Sequence, residues 1–293
     1  MQTKERKYIF VLNPIAGGRK KEKVPAQIDK FCDRAKCTFR IYKTTGRNDL
    51  DNLRKVFEVF VPDAVIAIGG DGTVNLVGNL LVYTDIPIGI IPLGSGNGLA
   101  KDLGLPLDIE AAFDLIHRFE SRYIDSLNLN GINCFHLSDL GYNARIVHRF
   151  ANGKLRGKIS YFWYGVSEFL RFQSFPFELK TKIESYTGKA FMMIISNANK
   201  FGTNISINPL GEIDDGWFEI SIFKPFHILR MPYIIFHLLN NTIHLTPFYK
   251  VVRARKALIR NGAEECMHID GEPTSSSKEV HVEIMSRSLR VIM

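Results

Sequence analysis

Ala64-Val-Ile-Ala-Ile-Gly69-Gly-Asp-Gly-Thr-Val-Asn75 is the stretch on which the reading of this chain turns. Its first five residues are apolar on both faces, the pattern of a strand buried in a parallel sheet. They run straight into Gly69, Gly70, Asp71, Gly72 and Thr73, and a helix is predicted over Val74 to Leu81. Open α/β sheets bind ligands at this carboxyl edge of their strands. Glycines let backbone N–H groups approach an anion closely, and a helix that follows points its positive end at the same place. Thr73 adds a hydroxyl donor, and Asp71 offers a carboxylate to position a metal or a hydroxyl. The plainer alternative, a tight turn with Thr73 as a helix cap, is weaker between a buried strand and a helix.

The neighbouring sequence repeats the arrangement. Tyr8 to Leu12 reads as a strand ending at Asn13-Pro14, with Gly17-Gly18 close behind. Pro25 suits the start of a helix, and Thr38 to Tyr42 is a second strand. Leu50, Leu53, Val56, Phe57 and Phe60 recur at helical spacing after Asn48 or Asp49. Ile86 to Ile91 is another buried strand, followed by Pro92-Leu-Gly-Ser-Gly-Asn-Gly98, in which Ser95 is the available hydroxyl. Three glycine-containing loops after three parallel strands predict one phosphate-binding edge. There is no G-x-x-x-x-G-K-[ST] loop, no G-x-G-x-x-G after the first strand, no G-x-S-x-G and no H-E-x-x-H, which sets aside P-loop, dehydrogenase, hydrolase and zinc-protease readings.

Near Ser121 the character changes to shorter alternating runs: Tyr123 to Leu129, Phe191 to Ser196, Trp217 to Phe223 and Val280 to Met285. Asn130-Gly131, Thr187-Gly188, Asp215-Gly216 and Asn261-Gly262 are read as turns between them. One helix is expected within Ile159 to Leu170. The fold class is therefore α/β, with an N-terminal parallel-sheet nucleotide-binding domain at 1–121. A mainly antiparallel, sandwich-like β domain follows at 122–293, its last residues expected to pack back on the first. In that second domain Gly211-Glu-Ile-Asp214-Asp215-Gly216-Trp217 bunches carboxylates at a turn, suited to a hard cation or simply to a hairpin. His268-Ile-Asp270-Gly271-Glu272-Pro273 places two carboxylates around a glycine.

Hydrophobic residues form 45% of the chain and charged residues 23%, the balance of a folded globular protein. No apolar run reaches the roughly 20 residues that cross a bilayer, and the N-terminus does not read as a secretory signal. The four cysteines show no C-x-x-C pair, so reduced thiols and a cytoplasmic location, peripheral at the inner membrane face, are expected. The net charge of +8 suits phosphate-bearing partners. Without a zinc-finger or RNP-like motif, nucleic acid is not expected among them.

Taken together, Asn13-Pro14, Gly69 to Asn75, Pro92 to Asn97, Leu103-Gly-Leu-Pro106, Asp215-Gly216 and Asp270-Gly271-Glu272 resemble the diacylglycerol kinase catalytic family. That family includes bacterial lipid kinases and sphingosine kinases. The resemblance implies an ATP-dependent lipid kinase with a cleft between two domains. It implies ATP on Asn13, Gly69, Gly70, Asp71, Gly72, Thr73, Val74 and Asn75, with Thr44, Ser95 and Asn97 as further contacts. Mg²⁺ is implied at Asp215, with the carbonyls of Glu212 and Trp217. Glu272 is implied as proton acceptor, with Asp270 beside it and Asp71 also in the catalytic set. Arg145 stands where sphingosine kinases carry an acid for the amino headgroup, with Asp139 as an alternative carboxylate. The expected partners are a lipid substrate and a membrane surface, reached through Phe226 to Leu245 and the nearby basic residues Lys250, Arg253, Arg255, Lys256 and Arg260. A homodimer is left open. The rival readings are a NAD kinase-like enzyme and a nucleotide-binding regulator without catalysis.

Overall fold

The computed structural model describes residues 5–16, 23–153, 158–171, 173–197, 200–201, 205–206, 208 and 211–293. The Gly17-Gly18 end of the first glycine loop lies outside them. Two compact units emerge: Met1–Ile124 with Arg287–Met293, and Asp125–Ser286.

The first unit alternates β1 (Lys7–Leu12), α1 (Val24–Ala35), β2 (Thr38–Lys43), α2 (Asp49–Phe60), β3 (Ala64–Gly69), α3 (Asp71–Leu81) and β4 (Ile88–Pro92). Two further helices follow, α4 (Gly98–Asp102) and α5 (Ile109–Arg118). The strands order as β2-β1-β3-β4, all parallel, with Tyr8 opposite Ala64 and Ile66 opposite Gly89. Every residue of β3 and β4 is buried, as continuous apolar runs require when helices cover both faces. Tyr8, Phe10, Phe31 and Phe113 pack one side of the sheet, with the rings of Phe31 and Phe113 5.2 Å apart. The helix predicted from Val74 begins three residues earlier. Gly70 is its extended N-cap, and the Gly70 carbonyl accepts from the N–H groups of Thr73 (2.9 Å) and Val74 (3.1 Å). Half of the glycine stretch is thus the first turn of a helix.

The second unit is a two-sheet β structure with inserted helices. Its elements are β5 (Ser121–Leu129), β6 (Ile132–Cys134), β7 (Leu137–Gly141), α6 (Tyr142–Asn152), α7 (Lys158–Arg171), β8 (Phe175–Thr181), β9 (Ser185–Ala190) and β10 (Met192–Ser196). They continue through β11 (Lys200–Phe201), β12 (Ile205–Ser206), β13 (Phe218–Phe223), α8 (Met231–Leu239), β14 (Tyr249–Ala254) and β15 (Lys256–Arg260). Last come β16 (Met267–Ile269), β17 (Glu272–Thr274) and β18 (Glu279–Ile292). One antiparallel sheet orders β14-β13-β10-β7-β16-β17, and another run orders β18-β15-β8-β9. Apolar residues from both, among them Phe177, Leu179, Ile195, Ile220 and Val282, form one core.

Asn130-Gly131 makes the expected hairpin turn between β5 and β6, with φ of 49° and 88°. Thr187-Gly188 does not turn; both residues lie inside β9. The reversal is made by residues 182–184, where the Thr181 hydroxyl accepts from the N–H groups of Ile183 (3.2 Å) and Glu184 (2.9 Å). The run expected at Val280 to Met285 extends to Ile292. β5 and β18 therefore both carry the chain across the division between the units.

Candidate active site

In the first unit the glycine loops after β3 and β4 touch. A Cβ on Gly94 would lie 2.5 Å from the Cα of Gly70, so no side chain fits at that crossing. Asp71 ties the loops together: its carboxylate accepts from the N–H groups of Asn97 (2.9 Å) and Gly98 (2.6 Å). Its place is in holding one loop against the other. A Cβ on Gly69 would collide with the Thr73 hydroxyl at 2.2 Å. That hydroxyl is buried and has no hydrogen-bond partner, although burial of an unpaired polar atom is costly. An orphaned donor in the first turn of an eleven-residue helix fits a phosphate oxygen as its missing partner.

The other expected nucleotide contacts belong to the same unit. Asn13 continues β1; its N–H donates to Ile68 (3.0 Å), and its side chain accepts from the Ile15 N–H (3.0 Å). Thr44 ends the neighbouring strand, its N–H bonded to the Leu12 carbonyl (3.0 Å). Beyond it, Asp49 accepts from the N–H groups of Thr45 and Gly46 and from the hydroxyls of Tyr42 and Thr45. Burial pushes its carboxyl up, but these donors outweigh it and hold the group below its ordinary range. Asn75 faces along α3 and accepts from the Asn79 amide (2.8 Å), Val74 is buried, and Ser95 is exposed.

In the second unit the carboxylates of the 211–217 turn are held by protein groups. Asp215 accepts from the Trp217 N–H (2.9 Å) on one oxygen and pairs with Arg253 on the other. Arg253 also bonds Glu219 (3.1 Å), whose second oxygen accepts from the Asn208 amide (2.8 Å). The four carboxylate oxygens of Asp215 and Glu219 are therefore all partnered. Burial pushes the Glu219 carboxyl up, against the pull of Asn208 and Arg253. Among the described residues no group of three or more His, Cys, Asp or Glu side chains is arranged to hold a metal. A Mg²⁺ ion on Asp215 does not fit this donor set. Asp125 went unnoticed in the sequence: a fully buried carboxylate inside an apolar strand, it accepts from the Gly216 N–H (2.6 Å). Asn197 braces the same turn through the carbonyls of Asp125 and Ile213.

Asp270 and Glu272 share a turn but not a role. The Asp270 carboxylate is buried and accepts from the N–H groups of Phe135 (2.9 Å), His136 (2.9 Å) and Leu137 (3.2 Å) and from the Cys134 thiol (3.2 Å). Those bonds fix the backbone between β6 and β7. Glu272 is exposed at the start of β17. The Gly271 N–H donates to His268 Nδ1 (3.2 Å), which leaves Nε2 as the protonated nitrogen facing Asp139 at 2.7 Å. Asn143 lies 3.1 Å from the same Nε2, bonds Asp139 (2.5 Å) and accepts from the Tyr161 hydroxyl (2.7 Å). Asn143 and Tyr161 in turn line a cavity of about 610 Å³, walled by apolar side chains of α6, α7 and α8, among them Ile146, Val166, Phe169, Met231 and Ile235. A continuous chain of hydrogen bonds thus joins the polar end of this apolar cavity to the residue preceding Glu272. None of it was visible in the sequence, because its members come from α6, α7, β7 and β16.

Comparison with known proteins follows this division of the chain. A model of the diacylglycerol kinase catalytic domain matches residues 7–129, and one of the YegS C-terminal NAD kinase beta sandwich-like domain matches residues 138–293. The chain thus joins a diacylglycerol kinase catalytic domain to a YegS-type C-terminal domain, and over more than half its length it belongs to the latter family. Lipid kinase YegS of Escherichia coli strain K12 is 29% identical over 266 residues, covering 86% of this chain and 85% of its own. An uncharacterized protein of Synechocystis is 29% identical over 188 residues, and the match takes in 43% of that longer protein. The crystal structure of a diacylglycerol kinase from Bacillus anthracis str. Sterne shares the fold, with a TM-score of 0.76 at 20% identity over 99% of this chain and 98% of that one.

Arg145, expected at a headgroup position, is itself tied to carboxylates. Arg145 is clamped by Glu265 (2.7 and 2.8 Å) and reaches Glu168 (3.5 Å); the Glu265 carboxylate in particular holds its guanidinium above the ordinary range. The carboxylates nearest this position, Glu265 and Glu168, are engaged by Arg145, and Asp139 is buried against His268.

Proposed function

We propose that this chain is an ATP-dependent lipid kinase that transfers the γ-phosphoryl group to a hydroxyl of a diacylglycerol, sphingoid base or related lipid. The observation that carries the reading is the apolar cavity of the second unit, connected through Asn143, Asp139 and His268 to Gly271, the residue before the exposed Glu272. Such a cavity takes an acyl chain and leaves its polar end at Asn143 and Tyr161. Phosphoryl transfer depends on positioning and charge neutralisation, so glycine loops, a divalent counter-ion and one base suffice. The phosphates bind at the N-terminus of α3, where Thr73 gives its unpaired hydroxyl. Glu272 takes the proton of the attacking hydroxyl. Asp270 keeps the turn that presents Glu272, and Asp71 keeps the two glycine loops in register. A divalent ion enters as the counter-ion of the nucleotide. The occupation of Arg145 by two glutamates favours acceptors without an amino group over sphingoid bases.

The lipid is met at a membrane surface. No helix among the described residues is long and apolar enough to cross a bilayer. Yet Leu229, Phe236 and Leu239, on and beside α8, are 80%, 61% and 68% exposed, and Leu170 on α7 is 70% exposed. Those helices also wall the cavity, so a lipid passes from the bilayer into it without leaving apolar surroundings.

Labelled ATP offered with diacylglycerol, monoacylglycerol, a sphingoid base and ceramide in mixed micelles, with NAD as control, tests the reading. Label on a lipid is expected, most on an acylglycerol; label on NAD alone, or on nothing, refutes it. Co-sedimentation with liposomes should fall in Phe236→Asp; binding unchanged by that substitution would remove α8 from the membrane face.

A further inference from the structure

The acid turn of the second unit carries its own cation. In β14, Arg253 lies directly opposite Glu219 of β13 in the antiparallel register. From there its guanidinium reaches both Glu219 and Asp215, and it sits 5.3 Å from the Trp217 ring, with Arg255 4.6 Å away on the same indole. Each carboxylate oxygen of Asp215 and Glu219 already accepts a hydrogen bond from a protein group. The turn is further fixed by the Gly216 N–H on Asp125 and by the Asn197 amide on the Asp125 and Ile213 carbonyls. A divalent ion placed on Asp215 would compete with Arg253 for the carboxylate and would meet its positive charge within a few ångströms.

We infer that Arg253 occupies the cation position of this turn, so that the 211–217 segment is organised without a divalent metal. The planar guanidinium is suited to this because it bridges two carboxylates while stacking on an aromatic face, geometry a hydrated ammonium does not offer. Where the family resemblance implies a metal holding the turn, this chain uses a side chain. Any dependence of turnover on a divalent ion then lies with the nucleotide alone.

Thermal unfolding and tryptophan emission test this without ATP or lipid, so failure of the lipid-kinase reading leaves the result interpretable. With Trp163→Phe as background, Trp217 is the sole indole, the chain having two tryptophans. The protein with Arg253 intact should unfold at the same temperature in millimolar Mg²⁺ and in EDTA, and Mn²⁺ should leave Trp217 emission unchanged. In Arg253→Met the midpoint in EDTA should drop by about 3 °C. Mg²⁺ should restore it, and Mn²⁺ should quench Trp217 saturably. A midpoint that rises with Mg²⁺ while Arg253 is present, or saturable quenching in that protein, overturns the inference. So does an Arg253→Met protein indifferent to both ions. If that variant does not fold, the measurements on the protein retaining Arg253 decide alone.

Discussion

The two units build their sites in opposite ways. In the first, the glycine loops offer main-chain groups and one buried hydroxyl, and the residues concerned are close in sequence, Gly69 to Thr73 and Gly94 to Gly98. In the second, carboxylates fasten backbone segments far apart: Asp270 holds Phe135 to Leu137, and Asp125 holds Gly216. A site made from local backbone tolerates exchange of nearby side chains but not of its glycines. One made from distant carboxylates stands or falls with single acids.

That contrast can be broken by mutation. The largest effect is expected at Glu272: replacement by Gln should cut phosphoryl transfer about 1000-fold while ATP binding and the unfolding midpoint stay as they were. A variant with ordinary turnover would show that the base lies elsewhere. Next, Asp270→Ala should lower stability in urea unfolding by about 3 kcal/mol, since three N–H groups lose their acceptor. A drop in transfer with no loss of stability would instead make Asp270 part of the chemistry. Smaller and of mixed sign is Thr73→Val. It should gain about 1 kcal/mol of stability by removing an unpaired hydroxyl, and raise the KM for ATP roughly ten-fold. Loss of stability would mean that the hydroxyl has a partner within the fold.

The smallest effect belongs to Asp49, whose folded carboxyl is held below its ordinary value of 3.8. Its contribution is fully present above that value and is lost as pH falls through the lower, folded one. Asp49→Asn should therefore be less stable at neutral pH and show a shallower acid limb when urea midpoints are followed downward in pH. Parallel curves for the two proteins would dissociate Asp49 from the acid response.

The same contrast explains what could be read in advance. Continuous apolar runs at Ala64–Ile68 and Ile86–Ile91, and helical spacing from Leu50 to Phe60, are properties of neighbouring residues, so the parallel sheet was legible. The start of α3 was not, because Gly70 caps it without any side-chain bond. Helix α6 was hidden for a related reason: it follows β7 with no loop, through Gly141 at φ 95°. Gly188 sits in a stretch that reads as a turn, while the true reversal is closed by Thr181, whose N–H bonds the Glu184 carbonyl and whose hydroxyl accepts from Ile183 and Glu184. Within the candidate site, the glycine loops and the Asp270-Gly271-Glu272 turn stood out as motifs. Arg253 beside Asp215 and His268 beside Asp139 did not, since only strand register and long-range packing bring them together. The one signal left unused was Asp125, an acid inside a buried strand, where an unpaired charge is not tolerated.

Strand β18 sets the order in which this protein can be made. Ser288 accepts from the Tyr83 N–H, Val291 lies beside Ile88, and Met293 donates to Glu120, so residues emerging late from the ribosome complete the unit whose synthesis began first. Domains usually mature in the order of translation. Here the first unit waits with one sheet edge uncovered while the second is synthesised, and the part begun first is finished after it.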